Sequence, residues 1–145
     1  MTTGPGRRLA LDLGDRRVGL ALSDPTALVA CPHGLIERRG PRRDLDAVEA
    51  VVREHEVVEV VVGWPRSMSG EAGERAKLAE TFAEQLRARL ALPVVLWDER
   101  LTTVEAQRTL IAGGVRRARR RLVVDAMAAA LILQGYLDAQ RSSST

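Results

Sequence analysis

Large apolar residues alternate with small or polar ones near the N-terminus in a way that is typical of β-strands. Residues 9–13 and 18–23 form two such runs, and the turn sequence Gly-Asp-Arg-Arg at 14–17 between them predicts a β-hairpin. Residues 28–36 predict a third strand, which Pro32 and Gly34 make irregular or place at a sheet edge. The first third of the chain therefore predicts three consecutive strands.

After these strands, apolar residues follow a helical spacing and then form a continuous run. Asp44 is expected to cap a helix whose apolar face comprises positions 45, 48, 51 and 52. Residues 57–62 are almost continuous in valine, as expected of a buried parallel strand. Residues 93–97 predict another short buried strand.

Alanine and leucine at spacings of three and four residues predict the remaining helices. The first spans residues 72–90 and the last spans 123–139. Between them, Thr102 begins a capping box that predicts a helix ending at Gly113. The arginine-rich residues 115–121 are expected to form a loop.

The order of these elements predicts an α/β fold. Strands and helices follow one another as β-β-β-α-β-α-β-α with a further C-terminal helix, which favours a mixed five-stranded sheet flanked by helices. The length of 145 residues fits a single domain. We expect this domain to span residues 1–140 and residues 141–145 to form a flexible tail.

Composition indicates which residues build the core and in which cellular compartment the protein is expected. Hydrophobic residues make up 46% of the chain but aromatic residues only 3%, so the core is expected to consist of alanine, valine and leucine. No apolar run reaches the eighteen or so residues of a membrane span, so no membrane association is predicted. The one cysteine, Cys31, has no partner for an internal disulfide and fits a reducing cytoplasm.

Positive charge is concentrated in one segment of a chain whose net charge is +3. Residues 100–121 contain one acid, Glu105, and seven arginines. A basic segment of this density fits a polyanion such as nucleic acid. The alternative is an ordinary solvated surface. The seven residues are Arg100, Arg108, Arg116, Arg117, Arg119, Arg120 and Arg121.

Four acids occupy positions where a carboxylate is costly. Asp12 interrupts the first strand, Asp98 and Glu99 follow a buried strand, and Asp125 lies near the start of the most apolar helix. Moving a carboxylate out of water into such a position is unfavourable unless it is paired or bound to a metal.

Each acid also has a structural explanation. Asp12 could cap the hairpin turn, Glu99 could pair with Arg100 or Arg108, and Asp125 could favour the positive end of its helix. Taken together, acids on three inner elements favour a shared site for Mg²⁺ or Mn²⁺, which prefer hard oxygen ligands. Two such ions can stabilise the attacking and leaving oxygens in phosphodiester cleavage.

Four segments resemble one protein family. They are LALDLGDRRVG at 9–19, VVVGWPRSMSG at 60–70, DERLTTVEA at 98–106 and VDAMAAALILQGYL at 124–137. These segments are similar to the YqgF/RuvX family of Holliday junction resolvases, also described as pre-16S rRNA processing nucleases. The order of elements and the acid in the first strand resemble the RNase H-like fold.

The resemblance implies Asp12, Glu99 and Asp125 as catalytic acids and metal ligands. Asp98 is the alternative to Glu99, because alternation along a strand would point the two to opposite faces. The resemblance also implies that loop 63–70 approaches the substrate backbone. The residues expected to contact nucleic acid are Arg16, Arg17, Arg66, Arg100, Thr102, Thr103, Arg116, Arg117, Arg119, Arg120 and Arg121.

Some positions depart from the family pattern. The family often has asparagine where Ser67 stands and an acid where Ser69 stands. The family often has lysines just before the last aspartate. This chain has Leu-Val-Val at 122–124 instead, preceded by arginines at 119–121. In junction resolvases of the wider fold the second acid follows the strand that corresponds to 57–62, whereas here it comes one strand later.

These observations predict a metal-dependent nuclease that hydrolyses phosphodiester bonds in structured nucleic acid. The family resemblance favours processing of the 5′ end of pre-16S rRNA, with Holliday junction resolution as the alternative. A non-catalytic nucleic-acid-binding protein is a second alternative. An ATP-binding module is a third, because residues 12–19 also resemble the phosphate-binding hairpin of the actin and sugar-kinase superfamily. Two questions stay open at this point: whether the substrate is RNA or branched DNA, and whether the protein is a monomer or a homodimer.

Overall fold

The protein forms a five-stranded sheet with helices on both faces. The structure is a computed structural model that describes residues 5–65, 73–101 and 117–143, and for residues 117–125, 142 and 143 it describes the backbone only. The elements are β1 (Arg7–Leu13), β2 (Arg17–Ser23), β3 (Ala30–Glu37), α1 (Pro41–Glu54), β4 (Val57–Trp64), α2 (Glu74–Arg89), β5 (Val94–Asp98), a 3₁₀ turn (Glu99–Leu101) and α3 (Arg117–Ser143).

The sheet is mixed, as the sequence predicted. Its strand order is β3-β2-β1-β4-β5. The pairs β1–β2 and β2–β3 are antiparallel, whereas β1–β4 and β4–β5 are parallel. The carboxyl ends of β1, β4 and β5 therefore lie at one edge of the sheet, which we call the carboxyl edge.

The two faces of the sheet bury different residues. Leu9, Leu11 and Leu13 of β1 pack in a core with residues of α1 and α2. Ala10 packs in a second core with residues of α3. Because side chains alternate along a strand, Asp12 lies on the same face as Ala10, toward α3.

Helix α1 begins earlier than predicted. The expected cap, Asp44, lies inside the helix, whose N-cap is Gly40. Pro41 explains the difference, because proline fits the first helical turn, where its missing N–H costs no hydrogen bond. Asp44 is buried and accepts a hydrogen bond of 2.9 Å from the Arg39 backbone N–H.

Helix α3 also extends beyond the prediction at both ends. Residues 117–121, expected to be a loop, are helical, in agreement with the high helix propensity of arginine. Residue 125 therefore lies about two turns inside the helix, so the explanation that Asp125 favours the helix N-terminus is wrong. Residues 141–143, expected to belong to a flexible tail, are helical as well. The predicted helix over 102–113 lies outside the described residues.

Polar contacts fix α3 against the sheet and the β2–β3 loop. Tyr136 donates a hydrogen bond of 2.7 Å to Glu59 Oε2 in β4. Gln134 accepts one from the Ala30 N–H and donates another to the Leu28 carbonyl. In the described ranges, no helix has the length and apolar character needed to cross a membrane.

Candidate functional site

Asp12 is a buried acid inside β1, as the sequence predicted. Asp12 is only 3% exposed. It lies opposite Gly19 of β2, one position before β1 ends. The turn that follows is closed by a hydrogen bond of 2.8 Å from the Gly14 N–H to the Arg17 carbonyl. Asp12 thus brings a carboxylate to the carboxyl edge, on the face that α3 covers.

The Glu99 side chain lies at the same edge, where a glycine of β4 leaves room for it. Glu99 opens the 3₁₀ turn after β5 and is buried. A Cβ on Gly63 would lie 2.9 Å from Glu99 Oε2 and 2.6 Å from Ile132 Cδ1 of α3, closer than side chains allow. Glycine at position 63 therefore makes room for both the carboxylate and the helix. Gly63, expected to open a loop over 63–70, lies within β4, and residues 66–70 of that loop lie outside the described residues.

The positions of Asp12 and Glu99 converge near Gly63. The Leu11 carbonyl oxygen lies 3.5 Å from the same Cβ position, and Asp12 follows Leu11 in the chain. Both acids are thus at the carboxyl edge, on the α3 side. Their carboxylates are hard oxygen donors in buried surroundings, which fits a divalent cation such as Mg²⁺ or Mn²⁺.

The direction of α3 places position 125 toward this edge. Tyr136 contacts Glu59 near the start of β4, whereas Ile132 lies over Gly63 near its end. The N-terminal part of the helix therefore lies toward the carboxyl edge, and its C-terminal part lies toward the opposite edge. Position 125 precedes Ile132 by seven residues, about two turns, and so shares its helix face. The Asp125 side chain lies outside the described residues.

Asp98 is engaged by a neighbouring arginine. It accepts hydrogen bonds from the Arg100 backbone N–H at 2.9 Å, from Arg100 Nη2 at 2.7 Å and from Nε. These bonds raise the pKa of the Arg100 guanidinium above its ordinary value. The explanation that Glu99 pairs with Arg100 is therefore wrong. The choice of Glu99 over Asp98 as a ligand stays a prediction, and strand alternation does not support it, because Glu99 lies in the 3₁₀ turn rather than in β5.

Two arginines that the sequence did not indicate hold the end of β1. Arg38 Nη1 donates to the Gly14 carbonyl at 3.0 Å, and Arg75 Nη2 donates to the Leu13 carbonyl at 3.1 Å. These contacts join residues 24 and 62 positions apart. No local pattern could have indicated them.

Few of the residues expected to bind nucleic acid have described side chains. Arg16 is exposed in the hairpin turn, and Arg17 forms an ion pair of 3.5 Å with Glu37. Within the described ranges no three histidine, cysteine or acidic residues form a metal-binding group. The expected residues that lie outside the described ranges, or have no described side chain, are Arg66, Thr102, Thr103, Arg116, Arg117, Arg119, Arg120 and Arg121.

A family model covers most of the chain. The model for RuvX, described as Holliday junction resolvase, matches residues 6–139. The chain belongs to the RuvX family. The family resemblance inferred from the four sequence segments is therefore confirmed.

Relatives of this RuvX protein match it over nearly their whole length. A protein of Geobacillus kaustophilus named "Putative pre-16S rRNA nuclease" is 49% identical over 137 residues, which is 93% of this chain and 99% of the relative. A protein of the same name from Carboxydothermus hydrogenoformans is 45% identical over 130 residues, which is 90% of this chain and 94% of the relative.

Solved structures with this fold include junction resolvases. The RuvC of T. thermophilus in complex with a Holliday junction substrate superimposes with a TM-score of 0.60, over 94% of this chain and 97% of RuvC, at 18% identity. The likeness confirms the RNase H-like fold.

Proposed function

We propose that this RuvX protein is a metal-dependent nuclease that hydrolyses phosphodiester bonds in structured RNA and processes the 5′ end of pre-16S rRNA. The observation that carries the proposal is the packing of the Glu99 carboxylate over Gly63, on the face and edge of the sheet where Asp12 is buried. One acid lies in β1 and the other in the 3₁₀ turn after β5, and a bound metal would offset the free-energy cost of burying both carboxylates at one edge.

Asp12, Glu99 and Asp125 are the residues that would hold the metal. Bound Mg²⁺ or Mn²⁺ supplies a nucleophilic water at neutral pH and neutralises charge on the phosphate. The chain contributes the rigid placement of the carboxylates: Asp12 by β1, Glu99 by the 3₁₀ turn against Gly63, and position 125 by α3. Arginines of segment 116–121 lie at or near the start of α3 in sequence and would meet the phosphate backbone.

The choice of ribosomal RNA comes from relatives. Proteins that match this chain at 45–49% identity over about nine-tenths of its length are named as pre-16S rRNA nucleases. Substrates of this kind, together with the one exposed cysteine among the described residues, favour a cytoplasmic location.

Holliday junction resolution is a second candidate function. It is supported by the description of the family model and by the fold shared with a RuvC bound to a Holliday junction. A four-way junction has two equivalent cleavage positions, so this function would favour a two-fold symmetric homodimer. Fold alone does not decide between the two substrates.

Cleavage of matched substrates tests the proposal. The purified protein is incubated with a 5′-extended 16S rRNA fragment, a four-way DNA junction and single-stranded DNA, each with Mn²⁺, Mg²⁺ or EDTA. We expect cleavage of the RNA fragment with a divalent cation, and loss of cleavage with EDTA and in the Asp12→Asn variant.

Three other outcomes would each contradict the proposal in a different way. Preferred cleavage of the junction would establish the resolvase function instead. Cleavage that persists in both EDTA and Asp12→Asn would mean that Asp12 and a metal are not needed. Salt-sensitive binding without cleavage in any metal would favour the non-catalytic nucleic-acid-binding protein.

A further inference from the structure

A second group of arginines lies at the carboxyl edge, on the side of the sheet away from α3. The hairpin turn and the segment leading into α1, residues 14–17 and 37–44, contain six arginines and three acids. Four of these arginines, which we call the hairpin arginine surface, are exposed. They are Arg16, Arg39, Arg42 and Arg43.

Two of the three acids are already neutralised by the other two arginines. Glu37 forms an ion pair with Arg17 at 3.5 Å, and the buried Asp44 forms one with Arg38 at 3.3 Å. Asp15 is then the one remaining acid of these segments. Within the described part of the chain, none of the four exposed arginines has a side-chain hydrogen bond or an ion pair, so the surface carries excess positive charge.

Two hydrogen bonds of Arg38, one from its backbone and one from its side chain, fix this surface beside the candidate site. The Arg38 N–H donates to the Arg16 carbonyl at 2.9 Å, and Arg38 Nη1 donates to the Gly14 carbonyl at 3.0 Å. These bonds connect the segment before α1 to the hairpin turn. The turn begins two residues after Asp12, so the positive charge starts at the edge where that carboxylate lies.

The third arginine of α1, unlike the exposed pair at positions 42 and 43, forms an ion pair with an acid. Arg53, in the last turn of the same helix, pairs with Glu49 at 3.1 Å although its side chain is 78% exposed. The acids near the middle of α1 are thus paired, Asp46 with Arg89 and Glu49 with both Arg53 and Arg89. Arginines without an acidic partner are therefore concentrated at the end of α1 that adjoins the candidate site.

We propose that the hairpin arginine surface binds backbone phosphates of the nucleic acid flanking the cleaved bond. The inference rests on the proposed nuclease function, and it adds a binding surface on the α1 side of the sheet. A substrate bound this way would cross the carboxyl edge, with the first turns of α3 on one side of Asp12 and the hairpin arginine surface on the other. Exposed arginines without an acidic partner suit phosphate oxygens, and such contacts carry no sequence preference.

Binding measurements with two RNA lengths test the proposal. One RNA is the 5′-extended 16S fragment with a long duplex flank, and the other is the same fragment with that flank removed. Dissociation constants are measured in EDTA over a range of salt concentrations, so that cleavage does not interfere. The variants are Arg42→Ala/Arg43→Ala and Arg39→Ala/Arg42→Ala, and Arg53→Ala is the control on the same helix.

We expect each double variant to bind the long RNA several-fold more weakly. The slope of log affinity against log salt should become shallower by about 0.7–0.9 for each phosphate that the variant no longer neutralises. Binding of the trimmed RNA and its metal-dependent cleavage should match those of the wild-type protein. Arg53→Ala should leave the binding of both RNAs unchanged.

The outcomes separate this inference from the proposed function. If the wild-type protein binds and cleaves the long RNA but the double variants keep its affinity and salt slope, the hairpin arginine surface does not bind the flank. Equal weakening for the long and trimmed RNAs would also overturn the flank assignment. If the wild-type protein neither binds nor cleaves RNA or junction DNA, the proposed function and this inference both fail.

Discussion

Glu99 and Gly63 share the space at the end of β4. The Oε2 atom of Glu99 lies 2.9 Å from the position that a Cβ on residue 63 would take. The carboxylate can stay buried against the sheet only because residue 63 has no side chain. The relationship connects the 3₁₀ turn after β5, strand β4 and helix α3 at one point, since Ile132 Cδ1 lies 2.6 Å from the same position.

The Gly63→Ala variant should therefore lose activity with a moderate loss of stability. Its methyl group would displace the Glu99 carboxylate or the Ile132 side chain, and overpacking of this kind costs about 1–3 kcal/mol in the free energy of unfolding. Urea unfolding measures the stability, and Mn²⁺ titration calorimetry measures the metal site. Gly73→Ala is the matched control, because a Cβ at residue 73 meets no atom of the described residues within 4 Å. A Gly63→Ala protein with normal Mn²⁺ affinity and cleavage would show that Glu99 does not need this packing.

The neighbouring acids Asp98 and Glu99 should respond differently to amide substitution. Glu99→Gln is expected to lower metal-dependent cleavage by about 100-fold or more, since even residues behind metal ligands contribute ~10–100-fold. Asp98→Asn should keep most of the activity, because its carboxylate is engaged by Arg100. Cleavage rates at saturating Mn²⁺ and the Mn²⁺ dependence of each variant make the comparison. The reverse order of effects would assign Asp98 as the ligand.

A buried network at the other end of α3 should contribute strongly to stability. Arg8 pairs with Glu59 at 3.3 Å, Tyr136 donates to the other Glu59 oxygen, and all three residues are buried. Tyr136→Phe should cost about 1–3 kcal/mol, because it removes one hydrogen bond to a buried carboxylate. Arg8→Met should cost more, about 3–5 kcal/mol, because it leaves a buried charge without its counter-charge.

Urea unfolding at neutral pH ranks these two variants. Lys77→Met provides a surface control, because Lys77 is exposed on α2. If Tyr136→Phe destabilised the protein as much as Arg8→Met, the ion pair would not be the dominant part of the network.

Stability should depend on Asp24 at acidic pH. Its carboxylate accepts backbone hydrogen bonds from Thr26, Leu28 and Val29 and a further one from the Thr26 hydroxyl. These bonds, the Thr26 hydroxyl first, hold the pKa of Asp24 well below its ordinary value of 3.8. The folded state then binds fewer protons than the unfolded state, so the contribution is present above about pH 4 and is lost as the pH falls below it.

Thermal unfolding of wild-type and Asp24→Asn proteins between neutral and strongly acidic pH checks this dependence. The variant should be less stable than the wild-type protein at neutral pH, and the difference should narrow below about pH 4. A constant difference across the pH range would mean that the Asp24 charge does not contribute.

The sequence alone determined most of the elements and the acid in β1. The largely apolar runs at 9–13 and 18–23 and the valine run that starts at residue 57 are typical of strands buried on both faces, so these strands follow from local pattern. Asp12 stood out for the same reason, because it breaks a pattern that burial otherwise enforces. Helix ends were less well determined: Pro41 moved the start of α1, and α3 begins at Arg117 within a segment that was expected to form a loop, although arginine favours helices.

Tertiary structure decided which of these residues meet. Glu99 lies over Gly63 only because β4 and β5 pair in parallel with Gly63 opposite Trp97. Arg38 and Arg75 reach the end of β1 from remote parts of the chain. Glu37 pairs with Arg17 and Asp44 pairs with Arg38. These two acids are therefore not the partners of the neighbouring exposed arginines. Periodicity reports whether a residue faces the core, but contacts between distant residues depend on strand order and on the packing of helices across the sheet.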